Sequence, residues 1–152
     1  MLSVISADLP RKLHRNTKPS KVKKHKKRLG KSIAERPSDI DNREEFSHWE
    51  IGTVVGEKSN SDCVLPTILE RKTMNAIIHK IASKTAEAVT EAINNICNIY
   101  GDKFSKVFKT ITCDNGSEFA DLSLLEAETD TNVYFTHPYS LFKKGLMNVI
   151  MV

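Results

Sequence analysis

From residue 46 onward, apolar and polar positions alternate in patterns that separate strands from helices. Residues 49–55 (WEIGTVV) are a β-rich run, and a polar turn region follows at 56–62. Residues 63–70 (CVLPTILE) predict a second strand. Proline cannot donate to a sheet ladder, so Pro66 moves that strand toward an edge or a bulge. Residues 76–81 (AIIHKI) predict a third strand, and short polar links make the three an antiparallel meander. Then Val89, Ile93, Ile96, Cys97 and Tyr100 recur at i, i+4, i+7, i+8 and i+11, one apolar face of a helix. Thr85 can cap its start, Glu87 suits the positive end of its dipole, and Gly101 can terminate it. Residues 107–113 (VFKTITC) predict a fourth strand, 120–127 a short helix and 133–135 a last strand. A meander followed by helix-linked strands implies an α/β fold with a mixed sheet flanked by helices. In open sheets of this kind, sites gather at strand ends and switch points.

Upstream of residue 40 the pattern is different. Residues 11–36 (RKLHRNTKPSKVKKHKKRLGKSIAER) carry too much charge and too little apolar periodicity to bury a face, so they are expected to be largely disordered alone. Residues 1–36 hold twelve Lys/Arg against Asp8 and Glu35, whereas 37–152 hold eleven against seventeen Asp/Glu. The expected organisation is a basic arm or linker over 1–40 and a core over 44–152. The densest cations are Lys21, Lys23, Lys24, Lys26, Lys27 and Arg28. Such a run suits a nucleic-acid backbone, where it displaces condensed counterions without reading sequence. A solvated tail or an interdomain linker explains it equally well from charge alone.

Composition narrows the class without naming a chemistry. A chain of 152 residues, 39% hydrophobic and 28% charged, has the balance of one globular domain. No run approaches the roughly 18 apolar residues of a membrane span, and the first ten residues lack a signal-peptide pattern. Cys63, Cys97 and Cys113 are odd in number and widely spaced, which fits reduced thiols in a cytoplasm rather than disulfides or a zinc site.

Asp114 is the residue with the strongest chemical placement. It closes the fourth strand within TCDNGSEF (residues 112–119), where Asn-Gly turns the chain sharply and leaves the carboxylate at the strand end. A carboxylate there can hold Mg²⁺, a hard cation that prefers oxygen donors. The competing explanation is an Asx-turn that merely ends a strand, and DNG by itself favours that one.

Five blocks in register change the balance: HWEIGTVVG (48–56), LERK (69–72), KTAEAV (84–89), ITCDNGSEF (111–119) and YFTHPYS (134–140). Together they resemble the integrase-core transposases of the insertion-sequence branch marked by an HWE motif. The resemblance runs from about residue 9 to Gly145. It implies a ribonuclease H-like fold, DNA ends and target DNA as partners, and two Asp and one Glu holding two Mg²⁺ or Mn²⁺ ions. Two metals about 3.5–4 Å apart steady the attacking and leaving oxygens of an in-line phosphoryl displacement. Against that pattern, the first aspartate falls at Gly52, the second is Asp114, and the glutamate falls at Asn148. Glu50, two residues before Gly52 on the same strand face, and Glu118, just after Asp114, are the nearby acids; neither restores three converging carboxylates. The expected function is therefore DNA transposition by family, in an inactive copy whose metal binding is lost. The alternatives are a non-catalytic DNA-binding remnant and a decayed pseudogene product.

The ends carry further expectations. The resemblance starts inside the usual family protein, which has a helix-turn-helix region upstream, so it implies a chain truncated at both ends and open to self-association through uncovered apolar surface. Residues 145–152 (GLMNVIMV) also follow from a family-like GTNERHNG coding sequence by removal of one base, which implies a frameshift. Genomic nucleotides that do not restore the family pattern in a neighbouring frame would refute it.

Overall fold

The computed structural model describes residues 29–56 and 63–137. Six strands form one mixed sheet: β1 (Lys31–Ser32), β2 (His48–Val55), β3 (Val64–Glu70), β4 (Ala76–Ile78), β5 (Thr110–Cys113) and β6 (Asn132–Phe135), in the order β1-β6-β5-β2-β3-β4. β2, β3 and β4 are the antiparallel meander; β2, β5, β6 and β1 run parallel. The helices are α1 (Ala86–Tyr100), the single turn α2 (Phe104–Val107) and α3 (Leu125–Glu128), with a 3₁₀ stretch over Ser117–Leu124.

The main core lies between one sheet face and α1. On β2 it takes the odd positions Trp49 and Ile51, as a period of two requires. They meet Val89, Ile93 and Ile96 of α1, while Phe119 and Leu122 of the 3₁₀ stretch close the layer. α1 starts where the Thr85 hydroxyl accepts from the Ala88 N–H, and Gly101 caps its end. The Glu87 carboxyl in the first turn is held below its usual value, first by a hydrogen bond from its own backbone and then by Thr85.

The opposite face is covered by the segment leading into β2. Ile33 and Ile40 are buried there, in 3₁₀ turns at Ile33–Glu35 and Ser38–Asn42. Ser32 and Glu35 form a capping box, the hydroxyl accepting from the Ala34 N–H and the carboxylate from the Ser32 N–H. These residues fall within the stretch assigned to the basic arm; residues 1–28 lie outside the described residues.

Several sequence expectations are corrected. β3 is an interior strand, paired with β2 over its whole length, and its register with β2 and β4 runs without a bulge. The Pro66 carbonyl accepts from the His79 N–H, on the β4 side. A residue's N and C=O point to the same side of a strand, so the missing donor faces the gap between the Thr67↔Ile78 pair and the Val64↔Ile81 bridge. The fourth strand starts only at Thr110, because Phe104–Val107 coils into a helical turn that buries Phe104 and Phe108 against Trp49. The third strand is shorter than 76–81, and the helix expected at 120–127 is mostly 3₁₀.

Candidate active site

The site is built where two central parallel strands end. Ile51 and Cys113 are partners in the β2–β5 ladder, so Gly52 and Asp114 are the next residues of two adjacent strands. Tertiary structure thus sets side by side two positions sixty-two apart in sequence. One has a carboxylate and the other has no side chain.

Beyond Cys113 the chain turns on Asp114 itself. Its Oδ1 accepts from the Gly116 N–H at 2.9 Å, an Asx-turn. Glu118 folds back toward the same point. A Cβ at Gly116 would lie 2.7 Å from Asp114 Oδ1 and 2.5 Å from Glu118 Oε2, so only glycine lets both carboxylates approach. Glu118 is buried, with Lys84 Nζ at 3.0 Å and the Thr53 hydroxyl donating at 3.2 Å to its Oε1. Burial pushes the Glu118 carboxyl upward. Hydrogen bonds from its own backbone, the Lys84 ammonium and Thr53 outweigh that and hold it below its usual value.

Lys84 is the neighbour that sequence reasoning passed over. It opens the KTAEAV block, one residue before the cap of α1, and the packing of α1 on the sheet aims its ammonium at the strand ends. Only its place in that block pointed to it.

Glu50 serves elsewhere. It is fully buried and ion-pairs with Arg71, the arginine of LERK, itself buried. Burial pulls the Arg71 guanidinium downward and Glu50 opposes that. Asp41, 3.6 Å from Arg71, also pairs with Arg36, whose guanidinium donates to the Thr112 hydroxyl at 2.9 Å. The rest of the HWE block is structural as well. Trp49 Nε1 donates to the Val107 carbonyl at 2.8 Å, and its ring stacks on Phe108. The His48 ring nitrogen Nδ1 lies 2.8 Å from the Thr110 hydroxyl.

Among the described residues, no group of three or more His, Cys, Asp or Glu is placed to hold a metal ion. Asn148 and the cations Lys21, Lys23, Lys24, Lys26, Lys27 and Arg28 lie outside the described residues. No described helix is long and apolar enough to cross a membrane.

The sheet order and these strand-end residues can be set against known proteins. Over 145 residues, 95% of the chain, it is 39% identical to a probable transposase for the insertion-like sequence element IS1161 of Streptococcus salivarius. The chain belongs to the insertion-sequence transposases. Transposase InsI for insertion sequence element IS30A of Escherichia coli (strain K12) is 32% identical over 76% of the chain, and a transposase for element IS4351 of Bacteroides fragilis 32% over 74%. The chain spans 40% of the length of the Streptococcus protein and 29% of the E. coli one. No protein-family model matches. The catalytic core domain of BIV integrase superposes with a TM-score of 0.53 at 16% identity, covering 69% of this chain and 64% of that one. The transposase chain therefore has the ribonuclease H-like, integrase-core fold.

Proposed function

We propose that this chain is an integrase-type DNA strand-transfer core by descent that does not itself cleave or join DNA. The observation that carries the reading is Gly52, standing beside Asp114 where a second carboxylate is needed. Two dications held close together repel each other unless several anionic oxygens converge on them. The residues present do not supply that set. Glu118, the nearest other carboxylate, is closed by Lys84 and Thr53, and one Asp114 oxygen already accepts from Gly116. Asn148, at the position that matches the family's glutamate, has no carboxylate either.

The test is direct. The purified chain, incubated with Mg²⁺ or Mn²⁺ and DNA carrying insertion-sequence ends, is expected to leave the DNA un-nicked. Metal-dependent nicking that disappears in Asp114→Ala would overturn the reading. Gly52→Asp alone is expected to restore nothing, because two positions of the triad have changed.

A second reading is favoured by one separate observation. Ten of the chain's twenty-three Lys/Arg fall in residues 1–28, against the single acid Asp8. That segment suits non-specific binding to DNA phosphates, with affinity that falls steeply with salt. Loss of this binding on deletion of residues 11–28 supports it; binding unchanged by the deletion refutes it.

A further inference from the structure

We infer that Asn115 is a positioning residue that tethers the basic arm to the Asp114 end of the sheet, so that DNA phosphates engaged by the arm lie over that end. The inference rests on the reading of the arm as a DNA-binding segment. It adds where the bound DNA is held.

Three contacts carry it. The Leu29 N–H donates to Asn115 Oδ1 at 3.2 Å, and Asn115 is buried, one residue beyond Asp114. Leu29 also packs against the main core. Gly30 then presses on Phe135, the last residue of β6, so closely that a Cβ would fall 2.5 Å from the ring. β1 pairs in parallel with β6, and a straight β1 would lead its preceding residues back toward the start of β6. The bend at Gly30 and the Asn115 bond bring them instead to the strand ends where Asp114 lies.

The cations begin at the next residue. Arg28, Lys27, Lys26, Lys24, Lys23 and Lys21 fall within eight residues of Leu29. Eight residues reach at most about 28 Å from that anchor. The Asp114 end needs such a complement, because Asp114 and Glu118 repel a phosphodiester and Lys84 is committed to Glu118. Cations delivered there offset the repulsion where the backbone approaches. The partner is duplex DNA, held by charge without base readout.

Cross-linking from the two ends of the sheet tests this in the full-length chain carrying Cys63→Ser and Cys97→Ser. A thiol-linked photo-crosslinker is placed through Ser117→Cys, exposed beside Asp114, or through Asp130→Cys, exposed before the start of β6. At equal bound fractions of a 30-base-pair duplex (a length of about 100 Å, at 3.4 Å per step), the Ser117 position is expected to cross-link several-fold more. Asn115→Ala should remove that excess while the bound fraction holds, and Asn115→Asp, which keeps an acceptor oxygen, should retain it. Thermal unfolding followed by circular dichroism verifies that each variant is folded. Equal cross-linking from both ends with binding intact would overturn the tether alone. An unfolded Asn115→Ala leaves the comparison of the two ends in the Asn115-intact chain to decide. Absence of binding at low salt would overturn the DNA reading and the inference with it.

Discussion

At the scale of single residues, the family blocks divide into those that build and those that face the strand ends. Glu50 and Arg71 come from two blocks, HWE and LERK, and meet because β2 and β3 pair. A buried carboxylate left without its guanidinium costs about 3–5 kcal/mol. Arg71→Met is expected to lower unfolding stability by that order in urea titrations, and Glu50→Leu added to it should recover much of the loss. If Arg71→Met alone unfolds like the parent chain, the pair is not structural. Glu118 gives a pH prediction. Its folded carboxyl lies below the usual range, so its stabilisation is fully present above that range and is lost as pH falls through the lowered value. The stability gap between the parent chain and Glu118→Gln should therefore close below about pH 4. A gap that widens on acidification would contradict the sign. Asp114 was legible as the site's anchor from TCDNG alone. Lys84 was not, because its ammonium reaches Glu118 only after α1 packs on the sheet.

Secondary elements followed the sequence where local chemistry and burial agreed. α1 has its cap, its apolar stripe and its terminator at the expected places, since Thr85, the 3.6-residue period and Gly101 act within a few residues of one another. Thr85→Ala should cost about 1 kcal/mol, and Ile93→Ala, which empties a buried position, about 2–5 kcal/mol in chemical unfolding. An Ile93→Ala effect no larger than the cap's would mean that the α1 face is not core. Elements went astray where partners far along the chain decide. Pro66 signals an edge only if its vacant donor side has a strand to pair with, and here the β3–β4 ladder is interrupted at that point. Ser32 and Glu35 form a capping box whose S-x-x-E spacing was readable, yet the surrounding lysines masked it.

For the whole molecule, the sheet order sets a gradient of protection. β2 and β5 are central and paired on both sides, whereas β1 and β4 are edge strands of two and three residues. Native-state hydrogen exchange should be slowest in β2 and β5 and fastest at β1 and β4. Slowest exchange at either edge would argue against this topology. The charge division belongs to this scale too, because a cationic segment joined to an acidic body acts through where it is joined. That junction is at Leu29, beside Asn115.

The sequence by itself determined the family, the α/β class, the helix α1 and the surviving Asp114, because each rests on residue types and short spacings that act locally. It also placed glycine and asparagine where carboxylates are needed. Tertiary structure decided what those residues face. Strand pairing brings Gly52 beside Asp114, burial ties Glu50 to Arg71, and packing of α1 closes Glu118 with Lys84. These contacts join residues tens of positions apart, and no local pattern encodes the register or crossover that makes them neighbours.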